Sequence, residues 1–126
     1  MCIRDRADTS NLTREYARVW QAAEKVVYST TLAEVSTART RLERSFDPGA
    51  VRELKASADR DLLVGGPNLA AQALRAGLVD ECQLFVWPIV LGGGAPALAP
   101  GQRIDLRLVD ERRFGNGVVR LSYRAV

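Results

Sequence analysis

The residues best suited to chemistry are Val64-Gly65-Gly66-Pro67-Asn68, which join a short apolar run to a helical pattern. Two glycines withhold the side chains that would keep a ligand off the main chain. Pro67 suits the first position of a helix, where its fixed φ is already helical and its missing N–H is no loss. A helix starting there aims N–H groups and the positive end of its dipole at the turn, where an anion such as a pyrophosphate could be held. A nucleotide-type cofactor is the chemistry this suggests. The turn lacks G-x-G-x-x-G spacing and a G-K-[ST] ending, so a plain tight strand-to-helix turn is the competing reading.

Other candidates are weaker. Ser29-Thr30-Thr31 delivers three hydroxyls to a loop, where one of them could equally cap the turn. Arg39, Arg41 and Arg44 read as a solvated strand edge, and, if the resemblance given below holds, one of them as the partner of a cofactor 2′-phosphate. Trp87 sits on the most apolar run and reads first as core packing. Gly92 to Gly94 reads as a flexible loop before it reads as a ligand cradle. Asp80-Glu81 lies between a helix stop and a strand, where solvated acids are common, and is not assigned as an acid/base dyad.

Missing residue types narrow the chemistry further. The chain has no histidine, which removes Ser-His-Asp and Cys-His nucleophile arrangements and His-ligated zinc. Cys2 and Cys82 are far apart and support neither a disulfide framework nor a thiolate metal site. No metal is expected, and no catalytic residue can be assigned. What survives is chemistry in which a cofactor does the bond-making while the protein orients it, hydride transfer being one example.

The elements that must position these residues follow from periodicity. With 126 residues, 47% of them hydrophobic, the chain fits one modest core. A net charge of +3 comes from basic residues scattered through every segment, so nucleic acid is not an expected partner. No apolar stretch is long enough to span a bilayer, and a cytoplasmic protein is the expectation. Residues 1–6 resemble translated adapter sequence, and residues 1–8 are set aside as a non-native or disordered leader. A helix over residues 12–23, capped by Thr9, Ser10 or Asn11, carries Tyr16, Val19, Trp20 and Ala23 on a face expected to pack on a sheet.

Residues 25–29 read as a strand, 40–44 as a short additional one, and 48–58 as a helix with Pro48 first and Asp47 as cap. Residues 61–64 read as a buried strand and 68–76 as a helix stopped by a left-handed Gly77, with Leu78 just beyond. Residues 82–91 have the character of a central strand disturbed by Pro88. Two alternating runs flank Gly115-Asn116-Gly117, a hairpin signal. The sum is an α/β fold: a mainly parallel sheet flanked by helices in three layers, closed by a C-terminal antiparallel hairpin.

Four motifs in order carry a resemblance: Lys25-Val-Val-Tyr-Ser29, Asp61-Leu-Leu-Val-Gly-Gly-Pro-Asn-Leu69, Ala76-Gly-Leu-Val-Asp-Glu81 and Pro88-Ile-Val-Leu-Gly-Gly-Gly94. Together they resemble the dihydrofolate reductase-like proteins of the RibD C-terminal domain type. The similarity runs over residues 9–126, expected as a partial domain of that kind. The resemblance implies an NADPH-dependent reductase acting on a small heterocyclic or carbonyl-type substrate. Reduction of a ribosylamino-pyrimidine in riboflavin synthesis and a dihydrofolate-like reduction are its two candidates.

The resemblance also assigns roles. Gly65, Gly66, Pro67, Asn68 and Leu69 would lie against the cofactor pyrophosphate. Ser29, Thr30 and Thr31 would lie near the adenosine ribose and its phosphate, and Trp87 and Pro88 would border the substrate side. A homodimer is the implied assembly. Members of the family begin with a strand, a helix and a strand not found here, so an N-terminally truncated chain is expected. A non-catalytic binding or oligomerisation module that retains the fold is the competing reading.

Overall fold

The computed structural model describes residues 11–98 and 101–126. The leader expected over residues 1–8 and the capping candidates Thr9 and Ser10 lie outside the described residues. The chain divides into two compact units, Met1–Asp47 and Pro48–Val126.

The first unit holds α1 (Asn11–Ala22), β1 (Lys25–Tyr28) and β2 (Thr40–Glu43). The two strands are parallel, with Lys25 opposite Thr40 and Tyr28 opposite Glu43. The ladder extends at both ends, through Lys25 N–H to Arg39 O (2.8 Å) and Ser29 N–H to Glu43 O (3.0 Å). Basic side chains finish α1. Lys25 Nζ donates to Trp20 O (3.0 Å) and Ala23 O (2.7 Å) and lies 4.7 Å from the Trp20 ring centroid. Arg39 Nη1 donates to Ala22 O at 2.8 Å. Cations at a helix C-terminus satisfy its last carbonyls and complement the dipole. Tyr28 packs edge-on against Phe46, with centroids 5.6 Å apart.

The apolar face of α1 is not covered as expected. Val19 is 67% exposed and no residue of the helix is buried. The sheet of its own unit has two strands of four residues, too small a surface to receive a twelve-residue helix.

The second unit contains α2 (Pro48–Ser57), α3 (Pro67–Arg75), β3 (Glu81–Val86), β4 (Leu106–Arg113) and β5 (Val119–Ala125). Its sheet runs β3-β5-β4 and is antiparallel throughout. One extra residue, Val109, bulges β4 between Leu108 and Asp110. The expected hairpin turn closes through Gly117 N–H to Phe114 O (3.0 Å) and Phe114 N–H to Val118 O (2.9 Å). Gly117 takes the left-handed conformation, φ 87°, as a three-residue hairpin loop requires at its last position. Asn116 Oδ1 accepts the Val118 N–H at 3.2 Å.

Helix α3 ends as its letters predict. Leu78 N–H reaches Ala73 O and Gly77 N–H reaches Leu74 O, both at 3.0 Å, with Gly77 at φ 66°. This is a Schellman stop, and the buried Leu78 is its hydrophobic partner. Ala71, Ala73, Leu78 and Val118 are buried. Leu74 of α3, Cys82 of β3 and Leu106 of β4 line one small cavity of about 80 Å³ with Leu98, Gln102 and Ile104. The helix therefore lies on the sheet face that carries Cys82.

Two expectations about strands change. Residues 61–64 form no ladder among the described residues, and Leu63 is 99% exposed. The apolar letters are those of a strand, but a strand exists only where a neighbour supplies ladder hydrogen bonds. Likewise β3 is an edge strand of its sheet rather than a central one, and stops at Val86, before Pro88. Parallel pairing is confined to β1 and β2, so among the described residues the sheets are not mainly parallel. No described helix is long and apolar enough to cross a membrane.

Candidate functional site

The glycine elbow is set by backbone conformation. Gly66 precedes α3 with φ 91° and ψ 131°, a region that side-chain-bearing residues avoid, and Pro67 opens the helix. The first intrahelical bond is Ala70 N–H to Gly66 O at 3.0 Å. Asn68 and Leu69 N–H groups thus fall in the first turn, where no intrahelical acceptor exists. No side chain caps this end, and the first turn holds no acid. A Cβ added at Gly65 or Gly66 would meet nothing within 4 Å. Gly65, Gly66, Pro67 and Asn68 are exposed residues.

The opposite end of α3 is closed by cations. From α2, Arg52 Nη2 donates to Ala76 O (3.3 Å), while Lys55 Nζ donates to Leu78 O (2.8 Å) and pairs with Asp80 Oδ2 (2.6 Å). Residues three apart on α2 therefore hold the carbonyl end of α3. The helix has one end satisfied by side chains and the other end open, with its positive dipole end outward. This arrangement fits a phosphate group.

The hydroxyl loop is built differently. Ser29 Oγ accepts two main-chain N–H groups, from Thr31 (3.3 Å) and Leu32 (3.0 Å). The capping role weighed against a ligand role is therefore occupied by Ser29. Thr30 and Thr31 are exposed. Arg44 grips the same loop, Nη1 donating to Ser29 O (3.3 Å) and Leu32 O (2.5 Å) and Nη2 to Ala33 O (3.3 Å). Of the other two arginines, Arg39 caps α1 and Arg41 Nε pairs with Glu43 at 2.9 Å. The spacing of Arg44 from Ser29 carries no sequence signal for this contact.

Gly65, Gly66, Pro67, Asn68 and Leu69 come together at one elbow in the second unit. Ser29, Thr30 and Thr31 come together in one loop of the first unit. Trp87 and Pro88 follow β3, where Ile89 N–H turns back on Trp87 O at 2.8 Å. Trp87 is 62% exposed, which removes the core-packing reading. Pro88 abuts the hairpin tip: a Cβ on Gly117 would lie 3.2 Å from Pro88 Cγ. Phe85 stacks on Phe114 with centroids 6.4 Å apart, and the Arg112 guanidinium lies 5.0 Å from the Phe114 ring. Cys82, beside the small cavity, has its thiol pKa raised by burial, so it is held as the poorly nucleophilic thiol. Asp80 and Glu81 are both exposed, as expected of solvated acids, and pair with Lys55 and with Gln83 and Arg124 respectively.

The chain has relatives among known proteins. The chain is 33% identical over 112 residues to uncharacterized protein YyaP of Bacillus subtilis, covering 87% of this chain and 59% of that protein. It is 44% identical over 63 residues to the riboflavin biosynthesis protein RibD of Mycobacterium tuberculosis, covering 48% of this chain and 18% of RibD. The chain thus spans about three fifths of the length of the one relative and under a fifth of the other.

In structure it resembles a Shewanella sp. PV-4 protein named for riboflavin biosynthesis, with TM-score 0.72 and 18% identity over 92% of this chain and 71% of that one. A pyrimidine reductase-like protein from Corynebacterium diphtheriae gives TM-score 0.55 and 19% identity over 69% and 38%. These likenesses show a common mixed α/β fold. The model of the RibD C-terminal domain matches residues 4–120, and the chain belongs to that family.

Proposed function

We propose that this chain is the cofactor-holding part of an NADPH-dependent reductase of the riboflavin-pathway type, acting on a small heterocyclic substrate such as a ribosylamino-pyrimidine. The observation that carries the reading is the uncapped N-terminal end of α3, whose glycine elbow puts no side chain in front of the main-chain N–H groups. Family membership and the RibD relative support the reaction class. NADPH, when bound, supplies the hydride. In this reading Asn68 and Leu69 N–H groups hold the pyrophosphate, and Gly65 and Gly66 give it room. Trp87 and Pro88 border the substrate. The assembly in this reading is a homodimer, which sedimentation of the purified chain tests.

The experiment is a titration with NADPH followed by melting temperature and nicotinamide fluorescence. Ligand at 100 times Kd stabilises the folded state by about 2.7 kcal/mol, a readily measured shift. Gly65→Asp places a carboxylate in the elbow without backbone strain, since its φ is not positive and nothing lies within 4 Å. It is expected to remove the shift while leaving the ligand-free melting temperature unchanged. A wild-type chain that shows no shift at saturating NADPH supports the non-catalytic module instead.

A further inference from the structure

We propose that the free edge of β3 is a self-association surface, on which a second copy of this chain adds its own β3 antiparallel; the inference rests on the homodimeric assembly proposed above. The two edges of the sheet are built differently. On β4, five of eight residues are charged and Val109 bulges the strand, both devices that keep an edge from pairing with another chain. Strand β3 has neither. Its single charge is Glu81 at one end, its register with β5 is unbroken from Glu81 to Val86, and among the described residues nothing pairs with its outer side. Phe85 and Val86, with Trp87 just past the strand, are each more than half exposed.

The direction of the free backbone groups follows from the ladder. Ala125 N–H donates to Asp80 O at 3.3 Å, and hydrogen-bonded pairs recur at every second residue of an antiparallel ladder. Cys82, Leu84 and Val86 therefore bond to β5, while Glu81, Gln83 and Phe85 turn N–H and C=O outward. An antiparallel partner must present the same spacing, and a two-fold copy of β3 does. With Gln83 opposite Gln83 of the copy, Glu81 lies opposite Phe85 of the copy and Phe85 opposite its Glu81, so each outward group of these residues has a donor or acceptor facing it. The charges agree with this register. No two carboxylates meet, and beyond Phe85 of the copy stands Arg120, its cross-strand neighbour on β5, so each acidic end of β3 runs toward a basic row. The two sheets join into one continuous antiparallel sheet, whose main-chain hydrogen bonds supply affinity as in other complexes formed by strand addition.

Gln83 is exposed, so charging it leaves the packing of the single chain alone. Gln83→Lys and Gln83→Glu each set like charges directly opposite across the two-fold axis, and each is expected to weaken association about fivefold in sedimentation equilibrium. An equimolar mixture of the two variants is expected to regain wild-type association, because lysine then faces glutamate. In wild type, amide hydrogen exchange at Glu81, Gln83 and Phe85 is expected to slow as protein concentration rises. Association that neither charge weakens, or that the mixture fails to restore, overturns the edge pairing and leaves the homodimer to another surface. Slow exchange at the three amides at every concentration overturns it too, by showing that a segment of the same chain covers the strand. A wild type that stays monomeric removes both the edge pairing and the homodimer, and leaves the cofactor reading to its own titration.

Discussion

The glycine elbow and the hydroxyl loop reach a similar chemical offer by opposite means. At the elbow, side chains are withheld: Gly65 and Gly66 open the main chain, and α3 presents its N–H groups because nothing caps that end. At the loop, side chains are added: Ser29 Oγ and the Arg44 guanidinium together fasten five main-chain groups. The elbow depends at Gly66 on a conformation that glycine alone adopts readily, whereas a loop made of side-chain hydrogen bonds depends on contacts open to solvent. The elbow should therefore be brittle to a single methyl group at Gly66, and the loop should weaken gradually.

The sharpest way to break this contrast is Gly66→Ala. A methyl group there finds open space, yet the backbone angles of 91° and 131° disfavour any Cβ. Strain of about 1–3 kcal/mol is expected, read as a lower midpoint in urea unfolding with an unchanged slope. A variant as stable as wild type would mean that the elbow relaxes freely and is not conformationally fixed. Gly65→Asp separates charge from strain at the neighbouring position, and its ligand-free stability should stay at the wild-type value.

The loop gives the smaller effect. Ser29→Ala removes the acceptor for two exposed N–H groups, which water replaces readily. A loss of about 0.5–1 kcal/mol is expected, with faster exchange confined to Thr31 and Leu32. A loss as large as that of Gly66→Ala would place the two regions in the same class.

The same contrast decides what could be read from the letters. Pro48 and Pro67 at helix starts, Gly77 with Leu78 at a helix stop, and Gly115-Asn116-Gly117 at the hairpin all act within a few residues, and each appears where expected. The elbow was legible for that reason. For residues 61–64 the apolar letters signal a tendency to be buried, but both burial and a strand need a neighbour that no local signal supplies, and these residues are exposed. Trp87 was misread as core for the same reason, since the sequence gives hydrophobicity but not the neighbour that would cover it. The clasp by Arg44 acts across 11 to 15 positions, and nothing in the spacing distinguishes it from Arg39 or Arg41. The Lys55 and Arg52 bonds that hold the end of α3 span 23 to 25 positions and were equally hidden.

The finest distinction between the two units lies at alkaline pH. Among the described residues each holds a half-buried acid whose pKa is raised: the Cys82 thiol by burial, from an ordinary 9.0, and the Tyr28 phenol first by burial and then by the nearby Glu43 carboxylate, from an ordinary 10.0. In both, folding favours the neutral form, so unfolded chains release these protons more readily than folded ones. The contribution to stability is complete below the unfolded-state pKa and is lost as pH climbs through the folded-state value. Loss should begin near pH 9 with the second unit and continue above pH 10 with the first. Urea unfolding of Cys82→Ser should lack the earlier part of the decline. Tyr28→Phe, which keeps the ring against Phe46, should lack the later part. Stability that rises between pH 9 and 11 would reverse the sign and show that neither proton is retained by burial.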